Sequence, residues 1–169
     1  MNITERRRPP MVLDPRCALL AAKTDRYNAL AARASEQLLA RLLEEDDRGY
    51  SLCLTDYKFL SALGAADDEA ISITELARHL HLHASSATRR VRHLLSCGLI
   101  TKTQDESDDR RYFVALTPEG AALLERLDRE FLSLTRRIYL SVTDEELQTV
   151  YAFMDKCIAN LASIAGEKE

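Results

Sequence analysis

Tryptophan is absent from this 169-residue chain, and glycine, proline and cysteine are scarce, at five, four and four residues. Gly49, Gly64, Gly98, Gly120 and Gly166 each stand alone. A loop that cradles phosphate needs several glycines close together, so P-loop and dinucleotide fingerprints are excluded. Cys17, Cys53, Cys97 and Cys157 are far apart and form no CxxC pair, which removes zinc-ribbon and thioredoxin-type sites. Neither GxSxG nor HExxH occurs. Nothing approaches the ~18 consecutive apolar residues of a membrane span. The start of the chain, MNITERRRPPMVLD, has basic residues but no apolar run behind them, unlike a signal peptide. The sequence therefore gives no positive sign of an enzyme, a cofactor or a metal. It points to a cytoplasmic protein with reduced thiols and no membrane partner.

What is there is a charge contrast. The chain is 46% hydrophobic and 30% charged, enough for one globular domain with a sizeable core, and its formal charge is -4. Within it, the stretch from Arg78 to Lys102 carries Arg78, Arg89, Arg90, Arg92 and Lys102, all four histidines, and no Asp or Glu. A basic island in an acidic protein is where the phosphate backbone of double-stranded DNA would bind, while the remaining surface would repel it.

The pattern around this island is a helix, a turn, a second helix and a hairpin. Thr74 is a plausible N-cap for a helix from Glu75 to about Leu80. The next helix starts after His83 and runs to about Cys97, with Ala87, Val91 and Leu94 on its core face. Ser85, Ser86, Arg89, Arg90 and His93 are placed on its other faces. Small hydroxyls and guanidinium groups together suit a helix in the major groove, where Arg can pair with guanine O6 and N7. Gly98 stops this helix in the left-handed conformation. LITKTQ (99–104) and RYFVAL (111–116) read as two strands around the polar turn DESDD, with Tyr112, Val114 and Leu116 alternating on one face. Such a hairpin makes a wing whose tip can place an arginine in a narrow minor groove. Thr117-Pro118 caps and starts the following helix.

Long helices flank this centre. From about Pro15 to Glu45, Leu20, Tyr27, Leu30, Ala34, Leu38 and Leu42 recur at helical spacing. A helix of this length spans about 45 Å, more than the core of so small a domain, so part of its stripe needs a second chain. Residues 55 to 63 form a short helix, followed by a short extended piece at Ile71, Ser72 and Ile73. Leu124, Leu127, Phe131, Leu134 and Ile138, then Leu147, Val150, Met154, Cys157, Leu161 and Ile164, form two seams of helices that pack lengthwise against helices. Thr143 and Glu146 make a capping box for the last helix, and Cys157 lies on its seam as an inert thiol.

These residues resemble the MarR-type (multiple antibiotic resistance regulator) winged-helix transcriptional regulators. The most specific match is the wing signature D-x-R followed by V-x-L-T-x-x-G, met here by Asp108, Arg110, Val114, Leu116, Thr117 and Gly120. ITELARHLHLHASSATRRVRHLLSCGLI is similar to the two helices of the family's helix-turn-helix, and LCLTDYKFLSAL to the helix before them. Together the matching elements cover about residues 15 to 165. The resemblance implies a mainly α fold with a small β-wing: a winged helix-turn-helix domain joined to an interlocking helical dimerisation region. It divides the chain into a flexible arm (1–12), a first dimerisation helix (13–50), the winged helix-turn-helix domain (51–117) and C-terminal dimerisation helices (118–169). It implies a homodimer on a palindromic operator, with Ser85, Ser86, Thr88, Arg89 and Arg90 at the DNA and Arg110 at the wing tip. Asp108 would hold the Arg110 fork in place. Asp109 departs from the family, which has Arg or Lys there, and His83 replaces the usual Ser or Thr cap.

A repressor released by a small aromatic or anionic effector is the expectation, with Tyr27 and Tyr57 on the helices that would line the effector pocket. Two alternatives are a thiol-based redox regulator of the same fold, sensing through Cys17 at the start of the first helix, and a winged-helix module for protein contacts. The HLHLH of His79, His81 and His83 crosses a helix end and a turn, so it reads as polar residues beside DNA rather than converging metal ligands.

Overall fold

A computed structural model describes residues 15–66, 70–105, 108 and 111–166, with the side chain of Arg16 outside the description. The arm at 1–12, Asp109 and Arg110 all lie outside the described residues. The described chain is mainly α-helical with a small three-stranded antiparallel sheet, and it divides into two compact units, Met1–Arg129 and Glu130–Glu169.

The first unit opens with α1 (Pro15–Glu44), followed by α2 (Leu54–Gly64), β1 (Ile71–Ser72), α3 (Ile73–His79), α4 (Ala84–Ser96), β2 (Ile100–Gln104) and β3 (Tyr112–Leu116). It closes on the first turns of α5 (Pro118–Ile138). β3 is the central strand. It pairs Val114 with Ile71 of β1 and with Lys102 of β2, so the wing hairpin is tied to the chain entering α3. The core is built from Phe59, Leu60 and Leu63 of α2, Leu76 of α3, and Ala87, Val91 and Leu94 of α4. Leu99, Val114 and the buried leucines 123, 124 and 127 of α5 complete it. The alternation expected in the second strand puts Val114 inward.

The helix ends follow from local chemistry. Ser72, rather than Thr74, caps α3: its hydroxyl accepts from the Glu75 amide at 3.2 Å, and Ile73 is already helical. The Ser-x-x-Glu spacing of a capping box was present, but two candidate hydroxyls stood two residues apart. α4 starts after His83, whose side chain makes no capping bond, and Gly98 follows its end at φ 71°. His81 in the α3–α4 turn is the non-glycine residue with positive φ (50°) among the described residues, a conformation that costs an L residue roughly 1–2 kcal/mol.

A tight corner joins the wing to α5. The Thr117 amide donates to the Leu99 carbonyl at 3.0 Å, and its hydroxyl donates to the Gly98 carbonyl at 2.8 Å while accepting from the Gly120 amide at 3.0 Å. A Cβ on Gly120 would stand 2.0 Å from the Leu99 carbonyl oxygen, so only glycine fits there.

Much of α1 is uncovered. Leu39 and Leu42 at its C-terminal end are buried, whereas Leu20, Tyr27 and Leu30 from the same stripe are 45%, 47% and 57% exposed. The second unit contains the end of α5 and α6 (Asp144–Ala165), which starts from the Thr143–Glu146 capping box and ends at Gly166 in the left-handed conformation. None of α6 is buried: Val150, Met154, Leu161 and Ile164 face solvent, and Cys157 is half-buried.

Candidate nucleic-acid interface

The side of α4 opposite its core stripe presents a line at steps of four, three and four: Ser85, Arg89, Arg92 and Ser96, all exposed. Arg92 belongs to this line by spacing alone and adds a second guanidinium to the one expected at Arg89. Thr88 is also exposed, but its hydroxyl donates back to the Ala84 carbonyl at 2.9 Å, which leaves only its lone pairs for a partner. Ser86 is half-buried at the first turn. These side chains can offer hydrogen bonds and positive charge to a groove without moving the backbone.

Arg90 is placed differently from the expectation. It lies one helical step beside the buried Ala87–Leu94 stripe, on the flank of the helix rather than its outer face. Its Nη1 reaches back to the carboxylate of Asp56 on α2, at 3.2 and 3.4 Å. Asp56 is 1% exposed. Its Oδ2 also accepts from the Cys53 amide at 2.9 Å, capping α2. His93, one turn further along α4, places Nε2 2.9 Å from the Ser51 carbonyl oxygen and 4.0 Å from Asp56 Oδ2. The sequence holds no local hint of this cluster, because Asp56 lies in a different helix of the chain.

Beside α4, an open cleft runs between the helix-turn-helix and the wing, lined by Arg78, Thr88, Lys102, Asp108, Arg111 and Tyr112 among others. Three cations thus reach it, from α3, from β2 and from the residue before β3. Lys102 Nζ sits 3.6 Å above the Tyr112 ring, and the Arg111 guanidinium sits 4.9 Å from the Phe113 ring centroid and 3.9 Å from Asp105. Arg78 meets Glu75 at 3.7 Å. An exposed pair such as Arg78–Glu75 is worth little, so a phosphate can displace it. Asp108 is exposed at the cleft, and its carbonyl accepts from the Arg111 amide at 2.9 Å.

The remaining candidates lie apart from α4. Tyr57 donates to Asp128 at 2.8 Å, and burial together with that carboxylate pushes its phenol well above the usual tyrosine range. Its hydroxyl is a donor at any physiological pH. Tyr27 is exposed on α1. Cys17 is exposed in the first turn of α1, whereas Cys97, at the end of α4, has its thiol pushed up chiefly by burial, which disfavours the reactive thiolate. His79, His81 and His83 are exposed, and no group of three or more His, Cys, Asp or Glu among the described residues is arranged to hold a metal. No helix of the described residues is long and apolar enough to cross a membrane.

Residues 54–112, from the start of α2 to the start of β3, match the model of the MarR family. Over 75 residues the chain is 28% identical to the organic hydroperoxide resistance transcriptional regulator of Bacillus subtilis, covering 44% of this chain and 51% of that protein. It thus spans about half the length of this curated relative. Its fold is shared with AbsC, a MarR family transcriptional regulator from Streptomyces coelicolor, at a TM-score of 0.77 with 18% identity, covering 89% of this chain and 97% of that one. It is shared also with Sco3205, a MarR family transcriptional regulator from the same organism solved in complex with DNA, at a TM-score of 0.76 with 22% identity and coverages of 88% and 93%. The family model is thus seated on the helix-turn-helix and the first strand of the wing, residues 54–112, and the chain shares the winged-helix fold of solved MarR family regulators along most of its length.

Proposed function

We propose that this protein is a cytoplasmic, sequence-specific transcriptional regulator that binds a palindromic operator in double-stranded DNA as a homodimer. The observation that carries the reading is the outward line Ser85–Arg89–Arg92 on α4, set beside a cleft where Lys102, Arg78 and Arg111 outnumber the carboxylates Glu75 and Asp108, in a chain whose net charge is -4. Ser85, Ser86, Thr88 and Arg89 are the groups for base edges and nearby phosphates, and Arg92 joins them. The cleft cations serve the backbone, Arg110 at the wing tip serves the minor groove, and Asp108 supports the wing. The DNA complex of Sco3205 supports the reading, since the two chains share a fold.

The homodimer rests on uncovered apolar area. α1 leaves Leu20, Tyr27 and Leu30 in solvent, and α6 leaves Val150, Met154, Leu161 and Ile164 of its seam there. Patches on this scale mark protein interfaces. Residues 13–50 and 118–169 are therefore assigned to dimerisation and 51–117 to DNA. Sedimentation at micromolar concentration is expected to give about twice the 19.1 kDa of one chain; a folded monomer there would remove the dimer from the account. Repression relieved by a small aromatic or anionic effector completes the reading, with Tyr27 and Tyr57 as its test positions, and no enzymatic reaction forms part of it. Selecting fragments of genomic DNA on the purified protein tests the function. A palindrome with half-sites about one helical turn apart is the expected product; recovery of unrelated fragments in proportion to their input would reject sequence-specific binding.

A further inference from the structure

We infer that Asp56 is the positioning residue of the recognition helix: through Arg90 it sets the rotation of α4 about its own axis, and so the discrimination between DNA sequences. This rests on the reading of α4 as the DNA-reading helix. The core contacts of α4 are Ala87, Val91 and Leu94, all apolar. Apolar burial is non-directional, so it holds the helix against its neighbours but sets its azimuth only loosely. The directional ties come from one flank. Arg90 bonds the buried Asp56 carboxylate, and His93, one turn away on the same flank, bonds the Ser51 carbonyl. Both anchors lie at the N-terminal end of α2, where Asp56 is itself fixed by the Cys53 amide.

The geometry makes small rotations costly for recognition. With side chains the helix is ~10–12 Å across, so a turn of about 10° displaces its outer surface by roughly 1 Å. A preorganised recognition group tolerates about 0.5 Å. A turn that the apolar contacts absorb would thus carry Arg89 and Ser85 out of register with a base edge. A buried ion pair also gives little stability compared with an apolar pair of similar volume. Orientation is the service that this pair renders and an apolar pair does not.

The test uses the full-length protein and the operator fragment selected by the wild type, with a scrambled duplex of the same length as reference. Asp56→Asn keeps an acceptor for the Cys53 amide but removes the charge that holds Arg90. Asp56→Asn with Arg90→Met removes the cation as well and leaves no charge stranded. Both are expected to lower the operator-to-scrambled affinity ratio about tenfold or more, with scrambled-duplex affinity nearly unchanged. If Asp56→Asn alone fails to fold, the double variant provides the readout. An unchanged ratio in the folded double variant overturns the inference. So does tighter binding of both duplexes by Asp56→Asn, which would mean that the released Arg90 is a phosphate contact held back by Asp56. Absence of salt-dependent binding by the wild type would instead defeat the DNA-binding reading itself.

Discussion

Gly120→Ala is expected to destabilise the protein by about 1–3 kcal/mol, the usual cost of forcing extra volume into a packed site. The added Cβ would lie 2.0 Å from the Leu99 carbonyl oxygen and 2.9 Å from its carbonyl carbon. These are backbone atoms, so no side chain can swing aside. The same carbonyl accepts from the Thr117 amide, and Thr117 in turn holds Gly98 and Gly120. Moving α5 away from Leu99 would break this corner, and the wing is anchored through it. In a chain of this size each kcal/mol shifts the melting midpoint by roughly 2–4 °C. A thermal melt followed by circular dichroism checks the expectation. An unchanged midpoint would mean that α5 can move off the Leu99 backbone at no cost to the corner.

Arg89→Ala is expected to weaken operator binding by about 5- to 150-fold, corresponding to the ~1–3 kcal/mol that a bidentate base contact contributes to discrimination. Arg89 lies on the exposed line with Ser85 and Arg92, clear of the Asp56 cluster. The loss should be concentrated on one base pair per half-site. Single-base variants at that position should then bind the Arg89→Ala protein nearly as well as the operator does. Arg92→Ala, if that side chain meets a phosphate, should instead weaken every duplex by a similar factor. Fluorescence anisotropy with the operator and its single-base variants separates the patterns. Wild-type affinity and specificity after Arg89→Ala would refute docking through the outer face of α4.

Most of the architecture is legible in the residues, because it rests on periodicity and punctuation. Ala87, Val91 and Leu94 give α4 its core face, His83 and Gly98 bracket it, and Thr143 with Glu146 starts α6. Where two local signals competed, spacing decided: Ser72 stands three residues before Glu75 and took the cap from Thr74. The wing signature L-T-x-x-G acquires a physical cause only in three dimensions, in the approach of Gly120 to Leu99. Arg90 shows the limit of reading one helix by itself. Its place on the flank of α4 is readable, but what faces that flank is set by α2, and the partner turned out to be a buried carboxylate. Arg92 is the converse case: it was missed among the DNA-facing residues, although its position seven residues after Ser85 is sufficient to place it on the outer face.

The claim that this chain binds DNA through a cationic face in an otherwise acidic protein is tested most directly by a salt titration. Operator affinity is measured from about 50 to 200 mM monovalent salt, and the logarithm of the binding constant is plotted against that of the salt concentration. A dimer that neutralises on the order of six to eight phosphates gives a slope of roughly -5 to -7, because each neutralised phosphate releases condensed counterions. A slope near zero, or no measurable binding at the low-salt end, would contradict the account.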